Sequence, residues 1–141
     1  MTTIRRATRA DLPRIHEVRH GTAENRLSDP SKVTEAEVFW YIDQAISLVC
    51  EDASGVVQGF LMANHQTGYV WALFVIDGQH GKGYGTALLE AALERLRSAG
   101  LRQSHLTTGT QTAAEQFYRR RGWIDMGRSL SGETVFVRHL K

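Results

Sequence analysis

The sequence has one cysteine and only two prolines among its 141 residues. A single cysteine has no partner within the chain, so Cys50 excludes a fold held together by internal disulfides. Cys50 lies in the strand-like run Ile46–Glu51, where we expect a buried, unreactive thiol rather than a nucleophile. No cysteine and histidine cluster has metal-ligand spacing, so we predict no metal site.

Long apolar runs and an excess of one charge are also lacking. No segment approaches the roughly 20 apolar residues of a membrane helix, and the first residues do not resemble a signal peptide. We therefore predict a soluble, cytoplasmic protein without membrane association. The 17 basic and 15 acidic residues nearly balance, which argues against a nucleic-acid partner. The one dense basic run, Arg119–Arg121, is interpreted as the solvated face of a helix.

What the chain does contain is one alternation of strands and helices without repeats or linkers. We predict a single α/β domain over residues 1–141, in the order β, α, α, three strands, α, β, α and two strands. The run Tyr69–Ile76 is nearly all apolar, as in a central strand buried on both faces. The clearest helix is Gly83–Ala99, and the strands on either side of it are expected to be parallel.

Helix boundaries are indicated by polar capping patterns. Thr8 with Asp11, Thr34 with Glu37, and Thr112 with Glu115 each have the spacing of a capping box. The last pattern predicts a helix that continues to about Arg121. Turn signals at Gly55, Gly68 and Gly132 predict antiparallel strand pairs around them.

The segment most informative about function is the glycine-rich loop Asp77–Gly85, between the apolar strand and the clearest helix. Glycines at alternate positions leave backbone N–H groups uncovered, and the first turn of a helix adds unpaired N–H donors and partial positive charge. Lys82 adds a formal charge. Together these features predict an anion site suited to a pyrophosphate.

The spacing of the loop does not fit the common nucleotide-binding patterns. A Walker A loop requires Gly-Lys-Ser/Thr, but Gly83 follows Lys82. A dinucleotide fingerprint requires its third glycine later than Gly85 and an acidic residue about 20 positions on. The loop is therefore not predicted to bind ATP or NAD.

The run His80-Gly81-Lys82-Gly83-Tyr84-Gly85 resembles the Gln/Arg-x-x-Gly-x-Gly/Ala signature of the GNAT superfamily of N-acetyltransferases. His80 replaces the usual Gln or Arg. A second run, Gln111 to Trp123, resembles that family's Asn-x-x-Ala-x-x-Phe/Leu-Tyr-x-x-x-Gly-Phe. Ala114, Phe117, Tyr118 and Gly122 match in place, while Gln111 replaces Asn and Trp123 replaces Phe.

The resemblance implies a GNAT-like fold, in which a central mixed sheet of six to seven strands is flanked by about four helices. It implies acetyl-CoA as co-substrate and a primary amine, on a small molecule or peptide, as acceptor. Tyr118 would protonate the departing thiolate. The residues implied to bind the coenzyme are Leu73, Phe74, Val75, His80, Gly81, Lys82, Gly83, Tyr84, Gly85, Thr86 and Gln111.

The resemblance also implies transfer by direct attack in a ternary complex, with a backbone N–H of the apolar strand polarising the acetyl carbonyl. The amine needs a base, and Glu24, Glu37, Glu51 and His65 are candidates. Trp40, Tyr41 and Trp71 could shape an acceptor pocket, although Trp40 and Tyr41 are more typical of helix packing. The loop Glu24–Pro30 is either an acceptor contact or a plain connection.

Two further interpretations are weighed against the enzyme. A non-catalytic module that binds acyl-CoA would explain the replacements at His80 and Gln111, but it has no need of an acid at Tyr118. A nucleic-acid-binding domain would use Arg119–Arg121, against the balanced charge. A homodimer is left open.

Overall fold

The structure, a computed structural model, describes residues 2–20 and 35–140. Within these ranges it contains seven strands and four α-helices, as predicted. The strands are β1 (Thr3–Arg6), β2 (Ile46–Glu51), β3 (Val57–Ala63), β4 (Val70–Val75), β5 (Gln103–Thr108), β6 (Ile124–Arg128) and β7 (Thr134–His139). The helices are α1 (Leu12–His20), α2 (Glu35–Gln44), α3 (Tyr84–Ser98) and α4 (Ala113–Arg120), and a 3-10 turn, Arg9–Asp11, precedes α1.

The strands form two antiparallel sheets. The first has the order β1-β2-β3-β4 and the second the order β5-β7-β6. The strands that flank α3, β4 and β5, are parallel where they meet, but they meet only at a bridge between Tyr69 and His105. Beyond this bridge no strand ladder joins β4 to β5, so a split separates the two sheets and β4 is an edge strand.

Hydrophobic side chains cover both faces of the first sheet. On one face Leu48 and Leu61 pack in a cluster with the apolar stripe of α3. On the other face Val49, Phe60 and Met62 pack with residues of α1 and α2. The alternation along β2 and β3 therefore divides the domain into three layers. None of the helices in the described ranges is long and apolar enough to cross a membrane.

The expectation that the apolar strand is buried on both faces is wrong. Val70 and Val75 at the ends of β4 are buried, but the four residues between them are only partly buried. The cause is the position of β4 at the edge of its sheet, beside the split. A strand covered on both faces and a strand that lines a cavity can have the same apolar sequence, so the sequence pattern alone does not distinguish them.

The capping box of Thr8 and Asp11 is confirmed at the start of the 3-10 turn. The Thr8 backbone N–H donates to Asp11 Oδ2 at 2.8 Å, and two Arg5 nitrogens bind the same carboxylate at 2.9 and 2.8 Å. These contacts fix the entry into α1. Thr34, Glu24 and the loop 24–30, which carried three of the sequence-based predictions, lie outside the described residues.

The burial predicted for the Cys50 thiol is confirmed. Cys50 is fully buried in β2, and burial raises its pKa to about 11. The thiol thus stays protonated at neutral pH, which is unsuited to a nucleophile.

Candidate active site

The glycine loop leads from β4 directly into the first turn of α3. Gly81 and Gly83 have φ of +83° and +86°, in the left-handed region where a side chain is strained. Gly83 is the N-cap of α3, and no side chain caps the helix. The N–H groups of the first helical turn are therefore available to an anion, as the sequence predicted.

A cavity of about 580 Å³ extends from this loop to α4. That volume lies within the range of small-molecule and cofactor sites, roughly 300–1,000 Å³. Nine of the twelve predicted site residues line it: Leu73, Val75, His80, Gly81, Gly83, Tyr84, Gly85, Thr86 and Tyr118. The structure thus brings residues from β4, the loop, α3 and α4 to one groove.

Three predicted coenzyme-binding residues do not line this groove. Phe74 faces the opposite side of β4, against the α1 and α2 cluster. The Lys82 ammonium donates to Gln79 Oε1 at 3.0 Å. Gln111 is exposed, and its backbone has a φ of 59°, which directs the chain into α4. Neighbours on a strand point to opposite faces, which is why Leu73 and Val75 line the groove and Phe74 does not.

Tyr118 lies at the inner wall of the groove and is almost fully buried. Its ring packs edge-on against Trp123 at 5.5 Å and lies 5.9 Å from Phe136. Burial raises the pKa of the Tyr118 phenol well above its ordinary value. The phenol therefore keeps its proton throughout the neutral range, as a proton donor must.

A buried carboxylate holds α4 in place beside Tyr118. Glu115 accepts hydrogen bonds from the Thr134 hydroxyl of β7 and, at 3.4 Å, from the Gln111 backbone N–H. The bond from Thr134 lowers the pKa of Glu115 below its usual value. Glu115 also donates its backbone N–H to Thr112 Oγ1 at 3.1 Å, which confirms that cap. The sequence indicated only the cap, because the contact with Thr134 spans 19 residues.

The basic run on α4 is not simply a solvated face. Arg119 faces away from the groove and binds Asp125 at 2.8 Å, but Arg120 and Arg121 line the groove. The Arg121 guanidinium lies 3.7 Å from the Phe117 ring centroid, and its Nε donates to Thr86 Oγ1 at 2.9 Å. Arg121 thus joins α4 to the first turn of α3 and adds positive charge to the anion site.

The open edge of β4 completes the groove. The Ile76 N–H donates to Gln58 O, and Phe60 is opposite Phe74. In an antiparallel pair, hydrogen-bonded and non-hydrogen-bonded positions alternate along the strand. The backbone groups of Phe74, two residues from Ile76, therefore point toward β3, and those of Leu73 point toward the split. The polar backbone of Leu73 therefore faces the region between β4 and β5.

The split begins at Gly68, immediately before the bridge between the sheets. Gly68 O accepts hydrogen bonds from the His105 N–H at 3.1 Å and the Ser104 hydroxyl at 2.7 Å. A Cβ on Gly68 would lie 2.5 Å from Gln103 O, and its φ is +84°. Glycine is required here by its positive φ and by the close approach of the Gln103 backbone.

A second, smaller cavity of about 70 Å³ lies on the other face of β4. Trp71 lines it and stacks on Tyr41 with ring centroids 4.5 Å apart, so Trp71 both packs and borders a cavity. Trp40 and Tyr41 border neither cavity. Tyr41 is buried, in agreement with the helix-packing interpretation, whereas Trp40 is exposed and its ring only meets the Tyr41 ring edge-on, at 5.0 Å.

The proposed bases among the described residues are not brought to the site. Glu37, Glu51 and His65 line neither cavity, and Glu51 Oε2 binds Arg5 Nε at 3.2 Å. Nor do residues 2–20 and 35–140 contain a group of three or more His, Cys, Asp or Glu that could hold a metal ion.

Comparison with known proteins gives the class to which this geometry belongs. The family model described as the Acetyltransferase (GNAT) family matches residues 8–123. The chain therefore belongs to the acetyltransferase (GNAT) family, and it is an enzyme of the acetyl-CoA-dependent N-acetyltransferase class. A search of curated protein sequences finds no match to the chain.

Solved structures share the fold over nearly the whole chain. The ribosomal-protein-S18-alanine N-acetyltransferase from Escherichia coli is 16% identical, with a TM-score of 0.80 and coverage of 100% of this chain and 95% of that one. Ard1 from Thermoplasma volcanium is 20% identical (TM-score 0.81, coverage 99% and 98%). PaiA N-acetyltransferase from Thermoplasma acidophilum, in complex with coenzyme A, is 16% identical (TM-score 0.82, coverage 99% and 99%). Because these sequence identities are low, the similarity shows that the proteins share a fold.

Proposed function

We propose that the protein transfers an acetyl group from acetyl-CoA to a primary amine by direct attack in a ternary complex. The observation that carries this proposal is that a buried, protonated tyrosine, Tyr118, lines the same groove as the uncapped N-terminus of α3. The helix start suits a diphosphate, and the tyrosine is an acid suited to a leaving thiolate.

The coenzyme would be bound mainly by backbone groups. The N–H groups at the start of α3 would bind the pyrophosphate, and Arg120 and Arg121 would add charge along the groove. The outward carbonyl of Leu73 would pair with the pantetheine, and its N–H would stabilise the developing oxyanion. His80 lines the groove and could contact the same phosphates, whereas Lys82 and Gln111 would contribute little from their positions outside it.

The reaction needs one proton donor and one acceptor. The amine nitrogen attacks the thioester carbon, the carbon–sulfur bond breaks, and the thiolate takes the proton of the Tyr118 hydroxyl. Glu37, Glu51 and His65 lie outside both cavities, so in this proposal water takes the proton released by the amine. Neither Cys50 nor an acetyl-enzyme takes part.

The test replaces Tyr118 by phenylalanine, which removes the hydroxyl and keeps the ring. With acetyl-CoA and a panel of amines, release of free thiol should fall about 100-fold in kcat, the usual size of such a proton-transfer contribution. Coenzyme affinity, measured by calorimetry, should change less than about twofold. Tyr69→Phe, a tyrosine outside both cavities, is the matched control and should retain kcat.

Other outcomes would contradict the proposal in distinct ways. Tight coenzyme binding without turnover of any amine would favour the non-catalytic binding module. Failure to bind coenzyme A would exclude both functions. An unchanged kcat in Tyr118→Phe would leave the enzyme without this acid and overturn the role given to Tyr118.

A further inference from the structure

The small cavity on the α1 and α2 face of β4 has one charged residue in an otherwise apolar wall. Arg19 of α1 is the charged member. The other lining residues are Ile15, Val38, Phe60, Met62, Trp71, Ala72 and Phe74. At about 70 Å³ the cavity is far smaller than a typical small-molecule site. It has room for a short apolar side chain and not for an extended ligand.

Arg19 has no hydrogen bond or ion pair within residues 2–20 and 35–140, although it is partly buried. Its neighbours in sequence differ: Arg5 binds Asp11, Arg9 binds Asp43, and Arg14 binds the Val57 carbonyl. A guanidinium has five N–H donors in a planar fork that matches a carboxylate. Within the described residues, Arg19 is therefore the one cation of this cavity wall and has a guanidinium free to bind a ligand.

The cavity borders the part of β4 that faces the split. Ala72 and Phe74 line it, and Leu73 between them lines the large groove on the opposite face. The two cavities therefore share β4 as a wall, and β4 is the edge strand beside the split between the sheets.

We propose that the acceptor is a free amino acid with a short apolar side chain. The side chain would fill the small cavity, the carboxylate would bind Arg19, and the amine would attack the thioester carbon at the β4 edge. The nitrogen–carbon bond forms as the carbon–sulfur bond breaks, with the protons transferred as described above. This proposal rests on the proposed acetyltransferase function and adds its substrate class.

The test compares three acceptors with the same side chain: leucine, leucinamide and 3-methylbutylamine. With wild-type protein, kcat/KM for leucine should exceed that for the other two by about 10- to 100-fold, the contribution typical of hydrogen bonds to a charged group. Arg19→Gln should remove this preference by raising KM for leucine, with little change in kcat. Arg95→Gln on α3 is the matched control, since Arg95 lies outside both cavities, and should keep the preference.

A second arm tests the apolar wall. From alanine to leucine, kcat/KM should rise about fourfold for each added carbon that is buried. Ala72→Leu narrows the cavity and should reverse the order, so that alanine becomes the better acceptor. Thermal melting of each variant reports whether it has folded.

Two results would overturn this substrate class and leave the acetyltransferase function intact: equal rates for the three leucine-like amines, or peptide N-termini acetylated faster than free amino acids. An equal loss for all three amines in Arg19→Gln would likewise exclude a carboxylate contact. Absence of thiol release with every amine, despite coenzyme binding, would instead overturn the proposed function and this inference with it.

Discussion

The two faces of β4 are built in different ways. The groove on one face is formed largely by a continuous loop and helix start, with α4 supplying the far wall. The small cavity on the other face is formed by side chains from α1, α2, β3 and β4. Backbone sites depend on a short stretch of sequence, whereas side-chain sites depend on how distant elements pack. The difference explains why the sequence indicated most of the residues that line the groove and few of those that line the small cavity.

The largest expected effect on coenzyme affinity comes from placing a negative charge at the start of α3. Gly83→Asp adds a carboxylate at the N-cap of α3, where the pyrophosphate would bind, and like charges a few ångströms apart repel strongly near a protein surface. Affinity for coenzyme A should fall about 100-fold or more. Gly83→Asn is the matched control, because asparagine tolerates a positive φ without the charge. Equal losses in both variants would mean that backbone strain, and not charge, is responsible.

The second prediction concerns the contribution of side chains in the groove to coenzyme affinity. Arg121→Gln removes a groove charge and the bond to Thr86, and coenzyme affinity should fall about 10-fold, as for one hydrogen bond to a charged group. Arg119→Gln, in the same basic run but bound to Asp125 outside the groove, should change affinity less than twofold. Calorimetric titration of both variants at one salt concentration makes the comparison. A similar loss in both would indicate a diffuse effect of net charge.

On the other face, the entry into α1 is expected to depend on pH. The contacts with Arg5, opposed by burial, lower the pKa of Asp11. Stability from this carboxylate is thus present above the unfolded-state pKa, near 3.9, and is lost as pH falls through the lower folded-state value. Asp11→Asn should lower the free energy of unfolding at pH 7 by about 1–2 kcal/mol, discounted because Arg5 is partly exposed.

Urea unfolding between pH 2 and pH 7 checks this prediction. Part of the acid sensitivity should disappear in Asp11→Asn, and the difference between variant and wild type should shrink at low pH. A difference that stays constant over the whole range would exclude an ionised Asp11 as its source.

The smallest effect is expected at Gln111, a residue that the sequence assigned to coenzyme binding. Its side chain is exposed and outside the groove, and its φ of 59° favours glycine. Gln111→Gly relieves strain in the folded state but adds freedom to the unfolded chain, so stability should change by less than about 1 kcal/mol. Coenzyme affinity should stay within twofold, as it should in Gln111→Asn. A tenfold loss in both variants would restore Gln111 to the binding site.

Whether a feature could be predicted from the sequence depends on how far apart in the chain its interacting residues lie. The capping box at Thr8, the apolar stripe of α3 and the glycine loop involve residues within a few positions, and all three were predicted. The orientation of Arg121 and the bond between Glu115 and Thr134 depend on how α4 packs against α3 and β7, which no local pattern encodes. Arg19 is the clearest case, since it becomes part of a cavity wall only when β3 and β4 pack beside α1.

The close contact at Gly68 has a geometric consequence for the whole groove. Gly68 and Gln103 lie at the vertex from which β4 and β5 diverge. The width of the gap between the two strands therefore depends on how closely the backbones at Gly68 and Gln103 approach each other. A larger residue at position 68 would force the vertex apart and displace Leu73 relative to Tyr118, without touching either. Misplacement of reacting groups by about 1 Å can cost 100-fold in rate. In the proposed reaction, a residue remote from the chemistry would thus determine how closely Leu73 and Tyr118 are aligned.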